Sequence, residues 1–388
     1  MGVPIRYNLR SLFQRRTTTA MTVLSIAFVV LVFIGVSSLA AGISEAFAAS
    51  GDPANLLVLR DGARSETESA FDLATARGIA AMPGVERTAD DRPLASGEMI
   101  VVQIFEREDG SESNVTVRGV GPMAQTVRPD LEIVEGRDFV SGTGEIIVGS
   151  DLAQRFRGLR LGEEVRIGLL DFRVVGIFEA GGGNAEAEIW GALEDVGNTF
   201  RRENAVSSMR LRTSSAAAMA ELERQVESDQ RWRVVAQPET QYYAEQTSAN
   251  TMQFRILGTL LAVLMGFGAC FAAANTMYAA IERRGREIGT LRALGFRRPA
   301  ILLAFLLEAA FLGLLGGIVG CILALPLNGI SAGTTNFISF SEITFQLTTT
   351  PAVLISGLLV ALATGIVGGL PPAIAAARRP ITGLLRGS

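Results

Sequence analysis

Residues 256–299 read ILGTLLAVLMGFGACFAAANTMYAAIERRGREIGTLRALGFRRP, and they change character abruptly at position 282. From Ile256 to Ile281 there is no charge; from there to Pro299 come Arg283, Arg284, Arg286, Arg292, Arg297 and Arg298, with only Glu282 and Glu287 opposing them. An apolar run of about 20 residues is enough to cross the hydrocarbon core of a bilayer. Short basic flanks stay on the cytoplasmic side. Three further runs have the same character. Ala20–Ile43 and Ala352–Ala377 carry no charge, and Ala300–Leu327 carries only Glu308. The first is too long for the apolar region of a signal peptide and no small-x-small cleavage site follows it, so it is expected to be retained. Four transmembrane helices are therefore expected, at 20–43, 256–281, 300–327 and 352–377. Arg6, Arg10, Arg15 and Arg16 precede the first, and Arg378, Arg379 and Arg386 follow the last, whereas Asn328–Pro351 has no basic residue. This asymmetry puts both termini and the 282–299 segment in the cytoplasm, with residues 44–253 and the 328–351 loop outside.

The region between the first two runs has a different composition. Residues 43–253 carry 21 Arg against 35 Asp or Glu, a net of −14, and the rest of the chain is +10. An acidic domain is a poor partner for nucleic acid. All 35 basic residues are arginine and histidine is absent, which removes the commonest metal ligand and general base. Cys270 and Cys321 both fall in apolar runs, so the 44–253 region has no disulfide. Runs rich in β-branched residues predict strands at Asn55–Arg60, Glu98–Glu106, Ser113–Gly119, Gly144–Gly149, Glu164–Leu169, Phe172–Phe178, Ala187–Trp190 and Ser208–Arg212. Helices are expected at Glu66–Ala81, Asp151–Arg157, Ser215–Ser228 and Glu239–Gln253. The fold expected is a membrane protein of four transmembrane α-helices plus a large extracytoplasmic α+β domain of two lobes. One lobe would comprise 50–128 with 202–238, and the other would be inserted at about 129–201.

No chemistry stands out in that domain. Gly181-Gly182-Gly183 lacks the following Lys-Ser/Thr and the helix start of a phosphate-cradling loop, and reads as a flexible hairpin tip. The many carboxylates show no spacing that singles out a catalytic pair and read as an acidic solvated surface. Catalytic, metal-binding and cofactor-binding residues are expected to be absent.

Within 282–299 a helix would bring Glu282 to Arg286 and Arg283 to Glu287 as i,i+4 ion pairs. Ile288, Leu291 and Leu294 recur every third residue as an apolar stripe on a charged segment, as a partner-docking element would have. Gly295 suits a helix stop and Pro299 the start of the next helix. Gly316-x-x-x-Gly320 and Gly365-x-x-x-Gly369 are small-residue pairs that let membrane helices approach closely. Glu308 lies about 13 Å into its span at 1.5 Å per residue. An intramembrane carboxylate tends to face a partner, and by depth alone Asn275 is a candidate.

The stretch REIGTLRALGFRR followed by FLLEAAFLGLLGGIVG resembles the signature of FtsX/MacB-type (type VII) ABC transporter permeases. The opening NLRSLFQRRTTTAMTVLSIAF, the segment from EGRDF to FRVVGIFEA, and the closing GGLPPAIAAARRPITGLLR are similar to the family's N-terminal basic helix (here 1–19) with its first span, periplasmic core and C-terminal end (here with a 378–388 tail). The resemblance implies a mechanotransmission system, in which two permeases sit above two copies of a separate ABC ATPase that binds ATP and Mg. The implied ATPase-coupling helix holds Glu282, Arg283, Arg286, Glu287, Ile288, Gly289, Leu291, Arg292, Ala293 and Gly295. The first and second spans would extend outward as a stalk, and Glu308 would have a structural or coupling role. MacB itself carries a fused ATPase domain. This chain has no Gly-x-x-x-x-Gly-Lys-Ser/Thr sequence, so the ATPase is expected on another polypeptide. The implied function is export of a lipid, lipopeptide, peptide or drug-like substrate from the periplasm, with the permease paired as a homodimer in the inner membrane among membrane lipids. A periplasmic adaptor and an outer-membrane duct would complete the system. Lipoprotein release and FtsX-like regulation of a cell-wall hydrolase are the alternatives.

Overall fold

The computed structural model describes residues 16–229, 231–335 and 342–379. The expected basic N-terminal helix at 1–19 and the 378–388 tail fall largely outside them. The chain divides into two units. One is helical and contains the segments up to Ala41, Gln253–Ile330 and from Leu347 onward; the other contains Gly42–Met252 and Ser331–Gln346.

Among the described residues, four helices are long and apolar enough to cross a membrane: α1 Arg16–Ala48, α7 Glu239–Arg283, α9 Arg298–Ala324 and α10 Pro351–Arg378; they build the helical unit, except that residues 42–48 of α1 and 239–252 of α7 belong to the other unit. Local chemistry sets the helix starts. Thr350 caps α10 by accepting a hydrogen bond from the Val353 amide at 3.3 Å, and a proline stands at the start of both α9 and α10. The spans run longer than their apolar cores, because once nucleated a helix continues until its backbone finds a better partner. Thus α7 is one continuous helix of 45 residues whose first turns are polar.

Small residues decide how these helices pack. A Cβ added at Gly316 would lie 2.7 Å from the Cβ of Ile26, and one at Gly320 2.7 Å from that of Val30, so α9 seats against α1 at these two glycines. A Cβ added at Gly365 would lie 2.7 Å from the Ala309 carbonyl oxygen and 2.9 Å from the Gly313 Cα, and one at Gly369 2.3 Å from the Ala309 Cβ, so these glycines seat α10 on α9. The Thr22 and Thr276 hydroxyls share a hydrogen bond of 2.7 Å between α1 and α7. With lipid as apolar as leucine, close van der Waals approach is what association gains. Gly365→Leu should therefore lower thermal stability in detergent by at least the about 1–3 kcal/mol typical of overpacking. Gly268, with nothing within 4 Å, should accept leucine at little cost. Equal melting temperatures for the two variants would count against the packing.

The second unit is organised on one ten-stranded mixed sheet. Its strands are β1 Asn55–Arg60, β3 Ala95–Glu106, β4 Glu112–Val120, β5 Glu132–Gly136, β6 Glu145–Gly149, β7 Glu164–Ile167, β8 Leu170–Glu179, β9 Glu188–Ala192, β11 Ser208–Arg212 and β12 Val234–Pro238. The order is β12-β1-β11-β3-β4-β9-β6-β8-β5, with β7 on β8. The short strands β2 Phe71–Asp72 and β10 Ala205–Val206 pair separately. The helices are α2 Leu73–Ala80, α3 Ala124–Val127, α4 Ser150–Arg155, α5 Leu193–Thr199 and α6 Ala216–Ser228. Two apolar clusters mark two lobes. One gathers Leu56, Val58, Ile79, Leu211, Leu222 and Val226, and the other Phe105, Val117, Ile146, Phe156, Phe172 and Ile189. The sheet does not stop between them, since β4 pairs in parallel with β9.

Several local expectations change. Glu66–Ala70 is not helical, and α2 begins only at Leu73. β5, α5 and β12 were not foreseen, because short segments such as EIVEG carry too weak a pattern. The 328–351 loop contains a hairpin, β13 Ser331–Thr335 with β14 Glu342–Gln346. It belongs to the large unit, where Arg155 donates to Thr344 Oγ1 at 2.9 Å and Phe345 covers Gly42. Gly181-Gly182-Gly183 is tethered. Glu186 accepts from the Ala180 and Gly182 amides at 2.8 and 2.7 Å, and the Asn184 amide donates to Ser50 Oγ at 2.7 Å.

Candidate functional site

The helical unit presents its basic segment as a short helix, α8 Gly285–Ala293, set off from α7 by a break at Arg284. Arg284 leaves helical geometry at φ −99°, ψ 13°, and its side chain turns inward. Its Nη1 donates to Glu308 Oε2 at 3.2 Å, and both side chains are buried. Removing one partner of such a pair costs about 3–5 kcal/mol, because the other charge is left desolvated. This contact ties the start of α8 to α9. Asn275 is exposed and is not placed to meet Glu308. The buried positions of α7 here are Ala273, Met277, Ala280 and Ile281, and a residue two positions from Ala273 lies on the far side of the helix.

The same break falls inside both expected i,i+4 spacings, so 282–286 and 283–287 are not one turn of a single helix. Glu282 lies instead 3.9 Å from Arg379. The apolar stripe is divided in use. Ile288 is buried among Met277, Ile281, Ile301 and Phe305, Leu291 is half-buried, and Leu294 is 73% exposed. Gly289 is buried and Arg292 half-buried, while Glu282, Arg283, Arg286, Glu287, Ala293 and Gly295 are exposed. Gly295, at φ +94°, ends the helix in the left-handed region. One side of α8 is thus anchored, and the other offers charge and an exposed leucine beyond its end.

The large unit holds a cluster that sequence reading missed. Four carboxylates and three guanidiniums, drawn from five elements and two connecting segments, meet in the interior. Arg118 on β4 donates through Nε and Nη2 to Glu188 at 2.6 and 2.7 Å, and through Nη1 to Glu98 at 2.7 Å and Glu66 at 3.0 Å. Arg210 on β11 donates to Glu239 at 2.6 Å and Glu66 at 2.9 Å, and also binds Glu98. Arg128 forks onto Glu98 with two bonds of 2.7 Å and stacks over Trp190. Glu66, Glu98, Glu188 and Glu239 are therefore not part of a solvated acidic surface. A signal existed: in β4 the Val115 and Val117 side chains face the apolar core, which places Arg118 on the opposite face of a strand covered on both sides.

Burial alone would raise the Glu98 carboxyl, but Arg128, Arg210 and Arg118 outweigh it and hold it at about 2. Glu66, opposed in the same way by burial, is held well below the carboxylate range by Arg118 and Arg210. Both folded values lie below the unfolded value of about 4.3. Their contribution to stability is therefore complete above that pH and is lost as pH falls toward the folded values. Acid titration of the full chain in detergent, followed by fluorescence of the buried Trp190, should show constant stability above pH ~5 and progressive loss between ~4 and ~2. A flat profile down to pH ~2 would contradict an ionised cluster.

Both parts of the chain have relatives among known proteins. Residues 19–229 match the family of MacB-like periplasmic core domains, and residues 259–381 match the FtsX-like permease C-terminal family. The chain is a MacB/FtsX-type permease. Among the relatives of this permease, the pyoverdine export ATP-binding/permease protein PvdT of Pseudomonas entomophila is 26% identical, over 95% of this chain and 57% of its own length. The macrolide export ATP-binding/permease protein MacB of Bordetella avium is 26% identical, over 70% of this chain and 43% of its own length. The permease spans about half the length of the curated relatives it matches. Among solved structures, the periplasmic region of MacB from Actinobacillus actinomycetemcomitans covers 54% of this chain and 98% of its own, at 13% identity and a TM-score of 0.39. The family match over residues 19–229 makes the large unit a MacB-like core, in a chain with four helices, among the described residues, long and apolar enough to span a membrane.

Proposed function

We propose that this chain is the permease subunit of an ABC mechanotransmission exporter, with the 282–295 segment receiving the stroke of a separate ATPase on the cytoplasmic side. The observation that carries the reading is α8. It is anchored to its bundle by Ile288 and by the Arg284–Glu308 pair, yet leaves Glu287, Ala293 and Leu294 exposed. A helix held on one side and open on the other suits a lever contacted by a moving partner. The arginine asymmetry supports cytoplasmic termini and a cytoplasmic α8, with the MacB-like core outside. That relatives are named for macrolide export and pyoverdine export supports export of a lipid, lipopeptide, peptide or drug-like substrate. ATP and Mg belong to the partner ATPase. A second permease copy, a periplasmic adaptor and an outer-membrane duct would complete the path. Affinity purification of the full chain in mild detergent, followed by mass spectrometry, should recover an ABC ATPase. Recovery of no ATPase would sink the reading, and recovery of a lipoprotein chaperone or a cell-wall hydrolase beside it would redirect it to release or regulation.

A further inference from the structure

Residues 239–252, the first turns of α7, belong to the MacB-like unit itself. The helix's first residue, Glu239, is buried there and uses both carboxylate oxygens. Oε1 accepts from Arg210 Nε at 2.6 Å, and Oε2 accepts from Asn55 Nδ2 at 2.9 Å and the Asp52 amide at 3.3 Å. One turn on, Tyr243 Oη accepts from Arg210 Nη2 at 3.2 Å. Arg210 also binds Glu66 and Glu98, both of which bind Arg118. Arg118 then forks onto Glu188 at the start of β9, which also accepts from Trp190 Nε1 at 2.8 Å. An unbroken run of charge-assisted contacts therefore leads from the first turn of α7, through strands of one lobe, to a strand of the other. Guanidinium forks have fixed geometry and bind carboxylates with direction. Apolar contacts can slide; these cannot shift without breaking a bond in a desolvated site.

We propose that the run Glu239–Arg210–Glu66/Glu98–Arg118–Glu188 is the joint through which displacement of α7 reaches both lobes, with Arg210 and Arg118 as positioning residues for the stroke. The use of this joint rests on the exporter reading above; its existence as a mechanical link does not. The stoichiometry allows gentle tests. Four carboxylates face three guanidiniums, so neutralising one carboxylate leaves three of each.

Hydrogen exchange on the full chain in detergent micelles, without any ATPase, tests the link. Glu239→Gln should raise exchange in residues 240–246 and also in β9 around Glu188, each on the order of fivefold, while α6, outside the cluster, stays unchanged. Glu188→Gln should give the reciprocal result at 240–246, and serves if Glu239→Gln does not fold. A rise confined to the mutated element would overturn the proposal. An equal rise in α6 would also overturn it, since that reports general loss of stability. A second arm uses the complex with its co-purified ATPase. ATP should change protection of β9 in the wild type; Glu239→Gln should abolish that response while ATP hydrolysis stays within about twofold. If no ATPase co-purifies, the exporter reading fails while the first arm still decides the joint. If the first arm is negative with an ATPase present, the joint alone fails.

Discussion

Replacing Arg118 with methionine is expected to unfold the MacB-like core under conditions where the wild type is stable. Arg118 is buried and contacts Glu188, Glu98 and Glu66. Methionine fills much of its volume, so a cavity contributes little. The damage is electrostatic. Arg128 and Arg210 would remain against four buried carboxylates, and the carboxylates nearest the lost guanidinium could only protonate or draw in water. Breaking a buried ionic contact on one side costs about 3–5 kcal/mol. A domain of this kind has a total stability of about 5–15 kcal/mol. The measurement is thermal or urea unfolding of the full chain followed by Trp190 fluorescence, with Arg166→Met as reference. Arg166 pairs only at the surface, with Asp171 at 3.3 Å and both side chains more than 60% exposed, so its loss should cost about 0–1 kcal/mol. A destabilisation by Arg118→Met no larger than by Arg166→Met would show that the cluster is not ionised as drawn. Because protonation relieves the unpaired carboxylates, the variant should recover part of its deficit as pH falls below ~5, opposite to the wild-type trend.

Leu294→Asp is expected to abolish association with the ATPase while the protein still inserts and folds. Leu294 closes α8 with 73% of its surface exposed, one residue before the left-handed Gly295. It makes no contribution to the bundle core that Ile288 joins. A carboxylate there adds no strain to the permease, yet would be desolvated against a partner that covers the leucine. Losing an apolar anchor of about 1.5–3 kcal/mol and burying an unpaired charge together exceed a hundredfold in affinity. The comparison is Ile288→Asp, which should instead lower the yield of folded protein, since that position is buried. Co-purification with the ATPase and a melting curve of the permease separate the two. Undiminished ATPase recovery with Leu294→Asp would mean that the partner does not cover this end of α8. Reversing Glu287 together with Arg292 tests the charged part of the same surface by the same measurement.

Much of this protein was legible before any coordinates. Uncharged runs of span length predict helices directly, because a backbone in lipid must satisfy its own hydrogen bonds. Gly365 and Gly316 were legible as contact candidates, since close helix approach admits little else. The break at Arg284 was not. Glu282–Gly295 has helical spacing throughout, and the interruption follows from a long-range event, the inward turn of one arginine toward Glu308. For the same reason Asn275 was a poor guess: depth in a span says nothing about rotation around it. The pairing of β13 with β14 was hidden because its register depends on long-range contacts such as Arg155 to Thr344.

The division between the two kinds of information is clear at the buried cluster. The apolar runs, their arginine flanks and the acidic composition between them are one-dimensional properties, and they alone determined four spans with a large acidic domain between the first two; the MacB-like character of that domain came from the resemblance of its motifs. Nothing local distinguishes Glu66, Glu98, Glu188 and Glu239 from the acids that face solvent. Their partners Arg118 and Arg210 lie 20 to 144 residues away along the chain. Only the ten-stranded sheet brings them together, and only their shared desolvation turns ordinary surface residues into a fixed ionic joint.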